Sequence, residues 1–310
     1  MTTKSMLRAQ SLALLVLVAL AAENGAVAQD KGTLDPRPLP PLANPSSPAT
    51  PARELFGRAE EPATLRPNPI GFYSRGCLAG GAPLPVNGPH WQVMRLSRNR
   101  NWGHPNLIAF MKQFSSKAAR ESGWPGLLVG DLSQPRGGPM LNGHASHQIG
   151  LDADVWLTPM PNRELTRQER EELMATDVVR DDRLDVRPDV WSEGHIAVIR
   201  AAAMDPAVQR IFVNAAIKRA LCRAAQGESW MRKVRPMWGH NYHFHIRLYC
   251  PDGSNCRGQD PTPAGDGCDA SLAWWFKDEV RHPKKSTKKS WPPMTMAGLP
   301  AACRDVLRAQ

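Results

Sequence analysis

Apolar and polar residues alternate over residues 151–157. Leu151, Ala153, Val155 and Leu157 project to one side, and Asp152, Asp154 and Trp156 to the other. The pattern returns over residues 242–249, where Tyr242, Phe244, Ile246 and Leu248 oppose His243, His245 and Arg247. Each segment predicts a strand with one apolar and one polar face. Residues 106–121 repeat Leu107, Ile108, Met111 and Phe114 at helical spacing, and the apolar run 126–132 predicts a short buried strand. Further helices are predicted at 166–175, 193–203 and 215–225, with a Gly/Pro/Asn-rich loop at 134–143. Together these elements predict an α+β fold, a central antiparallel sheet with peripheral helices.

The flanks read differently. Lys4 and Arg8 precede an apolar run, residues 11–22, and Ala26-Val27-Ala28 is a small-residue cleavage site. Residues 1–28 therefore predict a secretory signal and a periplasmic protein, with no membrane span once it is removed. Residues 29–70 form a proline-rich lead-in, 71–276 the globular domain, and 277–310 a basic, proline-containing tail. The formal net charge of +10 suits an anionic polymer. Lys284, Lys285, Lys288 and Lys289 sit among Pro and Ser rather than aromatics, so no nucleic-acid partner is predicted. Six cysteines leave room for three disulfides in an oxidising compartment. They allow 15 pairings, among which spacing does not choose.

Five of the nine histidines fall in two clusters, His144 and His147 before the first strand and His240, His243 and His245 around the second. Pleating puts His243 and His245 on one face about 7 Å apart. If the two strands are neighbours, Asp154 and His245 converge, and His147 arrives from the loop as a third ligand. Two imidazoles and a carboxylate with an open fourth position form the donor set of a catalytic zinc. His-Glu-x-x-His is absent, so no glutamate base is available in that form. His243, on the same face as His245, is the natural replacement for accepting a proton from zinc-activated water. His240 is placed to hold a developing oxyanion or the substrate.

Gly143-His144-Ala145-Ser146-His147-Gln148 with Leu151-Asp152-Ala153-Asp154, and His240-x-x-His243-x-His245, resemble the penicillin-insensitive murein endopeptidases. These belong to a wider zinc peptidase group with lysostaphin, the D-Ala-D-Ala peptidases and the hedgehog domain. The resemblance spans about residues 77–303. It implies zinc on His147, Asp154 and His245, catalytic help from His243 and His240, and hydrolysis of D-alanyl–meso-diaminopimelyl cross-links in peptidoglycan. It further implies a second metal position at His144 with Asp182, where Asp185 stands in place of the family's histidine. The disulfides it implies are Cys77–Cys303, which would tether the tail, Cys222–Cys268 and Cys250–Cys256. A D,D-carboxypeptidase of the same zinc group and a non-catalytic zinc-containing wall-binding module are the alternative functions.

Overall fold

The computed structural model describes residues 31–283 and 292–310. The signal segment and the four tail lysines lie outside the described residues. The core is a seven-stranded sheet built from β1 (Asn87–Gly88), β2 (Trp91–Val93), β3 (Leu127–Val129), β4 (Asp152–Pro159), β5 (Val208–Val213), β6 (Val234–Pro236) and β7 (His243–Leu248). Its order is β6-β5-β7-β4-β3-β2-β1. The central pairings, β5 with β7, β7 with β4 and β4 with β3, are antiparallel. Parallel pairs, β6 on β5 and β2 on β3, flank them. These parallel pairs need crossover connections, which alternation within a strand does not encode.

The helices are α1 (Pro105–Ser122), α2 (Arg167–Glu172), α3 (Glu193–Ala203) and α4 (Ala215–Ala225). Start and stop signals fix their limits. The His104 side chain accepts the Asn106 N–H ahead of Pro105, and Gly123 at φ +74° ends α1. Asn214 caps α4 in the same manner. Thr166 and Glu169 form a reciprocal capping box on α2.

Leu107, Met111, Phe114 and Ala118 of α1 share one core with Val198, Ile199 and Ala202 of α3. The apolar face of the sheet, Ala153, Val155 and Leu157 of β4 with Phe244, Ile246 and Leu248 of β7, completes that core. Phe114 meets Phe244 edge-on at 6.4 Å. Truncating such a ring to alanine costs about 3–5 kcal/mol. With the apolar face covered by helices, the opposite face of β4 and β7 is left for chemistry.

A second, smaller core joins the two flanks. Ala52 and Phe56 from the helix Ala52–Phe56 pack with Ala79, Leu299 and Val306 around the Cys77–Cys303 disulfide. Cys222–Cys268 and Cys250–Cys256 are the other two bonds, and the described residues hold no free cysteine. This is the pairing the resemblance implied.

Candidate metal centre

Cross-strand register positions the centre. In the antiparallel pair β4/β7, His245 lies opposite Asp154, His243 opposite Trp156, and Arg247 opposite Asp152. Residues directly opposite share a face, so five polar side chains and an indole project together from the side away from the helices. His144 and His147 come from the loop entering β4. Gly150, at φ +68°, turns that loop into the strand. A Cβ there would stand 2.6 Å from Leu78 Cδ2 and 2.9 Å from the His104 nitrogen, so only glycine fits.

His147 is fully buried, and its backbone sits at φ +67°, in the left-handed region. Two bonds hold it there. Its backbone N–H donates to Asp152 Oδ2 at 3.0 Å, and its Nδ1 lies 2.5 Å from the Leu132 carbonyl oxygen. A carbonyl only accepts, so Nδ1 carries the proton and Nε2 presents a lone pair. That Nε2 faces Asp154 Oδ1 at 3.4 Å. Both atoms are buried and neither has a hydrogen-bond partner. Two electron-pair donors facing one another in the interior, with no proton between them, are costly unless a cation takes both.

His245 Nδ1 lies 3.1 Å from the same Asp154 oxygen, and its Nε2 stands 3.2 Å from Asp152 Oδ1. Burial opposes charge on this imidazole, but the two flanking carboxylates outweigh it and raise its pKa to about 9. A cation at Asp154 would displace that proton. Burial likewise opposes ionisation of Asp154, and His243, His147 and His144 reverse the effect, holding its carboxyl well below the usual range.

Three further side chains complete the site. His144 Nδ1 approaches Asp154 Oδ2 at 3.4 Å, while its Nε2 meets Asp131 Oδ2 at 3.0 Å. His144, His147 and Asp154 each offer a donor atom within 4.8 Å of the others. His243 Nε2 lies 3.5 Å from Asp154 Oδ2, and its buried Nδ1 is unpartnered. Burial first, then the surrounding imidazoles, lower its pKa to about 4. His240 follows the same pattern, down to about 3, and its Nδ1 lies 2.8 Å from the Trp238 carbonyl. Both rings are therefore neutral at neutral pH, the state in which an imidazole accepts a proton.

Asp182 and Asp185 are engaged elsewhere. Asp182 pairs with Arg180, and Asp185 with Arg223 at 2.8 Å. Nothing joins either to His144 among the described contacts. Of the aromatics near the centre, Trp156 is buried beside Met94 and Leu165, the Tyr242 ring lies 4.6 Å from His243, and Trp238 is exposed.

Two buried aspartates behind the histidines were not singled out by sequence. Asp152 receives Arg247 Nε and Nη2 at 2.8 and 3.0 Å as well as the His147 backbone. Asp131 receives Arg98, Arg100 and His144. Asp131 accepts from His144 Nε2, and Asp152 attracts His245 Nε2 as an ion-pair partner at 3.2 Å, so that the other nitrogen of each ring faces Asp154. The sequence signals for Asp152 were its place on the polar face of β4 and inside the Leu151-Asp152-Ala153-Asp154 motif.

Residues 69–308 match the family model for penicillin-insensitive murein endopeptidase. The chain belongs to this family. A penicillin-insensitive murein endopeptidase of Haemophilus influenzae is 44% identical over 246 residues, covering 78% of this chain and 83% of that protein. The protein of the same name from Pectobacterium atrosepticum is 39% identical over 258 residues, 83% of this chain and 89% of its own. That of Escherichia coli strain SE11 is 39% identical over 268 residues, 86% and 95% respectively. The family match takes in every histidine of the centre, both buried aspartates and all six cysteines.

Proposed function

We propose that this chain is a zinc-dependent endopeptidase of murein that hydrolyses D-alanyl–meso-diaminopimelyl cross-links. The observation that carries the reading is the unprotonated His147 Nε2 facing Asp154 Oδ1, with His245 beside them. These donors, two imidazoles and a carboxylate, suit a borderline divalent cation and leave coordination positions open. When bound, zinc supplies Lewis acidity and lowers the pKa of a coordinated water.

The chain's own residues do the rest. His243, neutral and buried against Asp154, accepts the proton released as water attacks the amide carbonyl. It then returns that proton to the departing amine. His240 stands beside it, with ring centroids 4.8 Å apart, and because its Nδ1 donates to the Trp238 carbonyl its Nε2 is an acceptor that can hold an N–H of the substrate. Asp152 and Asp131 keep His245 and His144 turned toward Asp154. His144 is a further donor at the same carboxylate, which gives a second cation a place to share Asp154.

The wider assignments fit this reading. Three disulfides suit export to an oxidising compartment. No helix among the described residues is long and apolar enough to cross a membrane. Residues 1–28 would be the leader, 29–70 the lead-in, 71–276 the catalytic domain and 277–310 the tail, and the compartment would be the periplasm.

The test is incubation of purified protein with cross-linked muropeptide dimers, with and without a chelator, followed by mass spectrometry. Conversion to monomers, lost with chelator and with His147→Ala, is expected. Loss of only a terminal alanine would make it a carboxypeptidase, and intact dimers with zinc still bound would remove both enzymatic readings.

A further inference from the structure

Three tryptophans meet on the surface beside the catalytic loop. Trp238 and Trp275 have ring centroids 4.8 Å apart, Trp238 and Trp274 5.9 Å, and Trp274 and Trp275 5.2 Å. Trp238 is 56% exposed and Trp274 43%. Large indoles normally bury most of their surface, and a cluster left in water marks a contact site rather than a scattered surface residue. The neighbouring Phe276 makes the contrast, because the Arg219 guanidinium covers its ring at 3.3 Å from the centroid.

The trio is fixed relative to the chemistry. The Trp238 carbonyl holds His240 Nδ1, and the next carbonyl, of Gly239, accepts from Asn214 Nδ2 at 2.8 Å. The aromatic surface and the His240–His243 pair thus share one short, anchored segment.

We propose that Trp238, Trp274 and Trp275 form a platform for the glycan strand of the polymer whose peptide is cut; this rests on the function proposed above. The peptide part of that polymer carries alanine methyls, amides and charged groups, with no broad flat face. Its sugars do have one: a pyranose ring presents a sheet of C–H bonds that packs on the negative face of an indole. Its hydroxyls need polar partners at the rim, and Ser271, Lys277 and Asp278 are exposed in the segment that carries Trp274 and Trp275. Holding the strand at one side of the catalytic loop aligns its peptide branch for attack, which lowers the entropy lost when the cross-link enters the site.

Two measurements on zinc-loaded protein test this. In the first, peptide-free soluble glycan strands are titrated while tryptophan fluorescence is followed. Saturable binding is expected, at least 5-fold weaker in Trp274→Ala and restored by Trp274→Tyr. In the second, kcat/KM is compared for cross-linked muropeptides that carry glycan and for the same cross-linked peptides freed of sugar. The ratio of the two is expected to fall at least 5-fold in Trp274→Ala. Absence of glycan binding by the wild type, or binding and ratio untouched by Trp274→Ala, would overturn the platform. So would self-association of the wild type that Trp274→Ala abolishes, since the trio would then be an interface between copies. Failure of the wild type to cut either substrate while it still binds glycan supports the platform and removes the hydrolase reading instead.

Discussion

Asp152 Oδ1 stands 3.2 Å from His245 Nε2, and the same carboxylate clasps Arg247 from the other side. The strand that supplies Asp154 thus also supplies, two residues earlier, the group that aims His245 at it. Asp152 additionally takes the His147 backbone N–H, so one buried carboxylate orients two of the three proposed ligands.

Asp152→Asn should therefore weaken zinc before it abolishes chemistry. Loss of a carboxylate behind a ligand lowers metal affinity about 10–100-fold, measurable by competition with a chromophoric chelator. Arg247 keeps an amide acceptor but loses its counter-charge, and removing one partner of a buried pair costs up to about 3–5 kcal/mol. Thermal melting of the metal-free protein separates the two effects. Equal zinc affinity in the variant would show that Asp152 serves the fold alone.

His243→Ala is expected to retain zinc near the wild-type stoichiometry while cleavage of muropeptide dimers drops about 100–10,000-fold. Metal analysis of the purified variant decides the matter. A variant that arrives without zinc would place His243 among the ligands.

Chelated protein should lose stability as pH falls below about 6.5. His243 and His240 have folded pKa values of about 4 and 3, below the ordinary 6.5. Between those limits the unfolded chain binds more protons, so stability falls as pH drops from about 6.5 toward 4. His245 behaves oppositely. Its folded value of about 9 contributes stability that is complete below 6.5 and is lost as pH rises through 9, a loss offset by Lys218, whose pKa burial lowers to about 7. Asp152 and Asp154, held low, add a further loss only in stronger acid. Melting temperatures measured in chelator should therefore fall between pH 6.5 and 4, and a flat curve over that interval would contradict the assigned shifts.

Paired Cys77→Ser and Cys303→Ser substitutions should destabilise the protein by about 2–5 kcal/mol. The bond closes a separation of 226 residues, and Leu299 and Val306 pack around it. Limited proteolysis is expected to release the terminal segment of the double variant first, while the sheet and the histidine cluster stay protected.

The strand pair at the heart of the site was legible because period-two alternation states which residues share a face. Once β4 and β7 are neighbours, His245 must face the same side as Asp154. The helices 193–203 and 215–225 were legible to the residue, since Ser192 and Asn214 announce their starts. β5 was not, because its four apolar residues, Val208 and Ile211 to Val213, flank Gln209 and Arg210 with no alternation to read. Nor could the chain reveal what holds the histidines. Arg98 and Arg100 reach Asp131 across more than thirty positions, and Arg247 reaches Asp152 across 95. The acidic run at 181–185 carries no sign in the sequence of its arginine partners, Arg180 on Asp182 and Arg223 on Asp185.

His147 and His240 both hold a backbone conformation, φ +67° and +52°, that glycine adopts freely and other L-residues adopt at a cost of about 1–2 kcal/mol. The working side chains therefore sit on the two least comfortable links of their loops. Putting glycine at position 240 would relax one of those links while deleting the imidazole, so the variant that loses the proposed substrate contact should be no less sturdy than the parent. With the role proposed for His240, durability and activity pull in opposite directions at a single residue, and selection for stability alone would erode what selection for cleavage maintains.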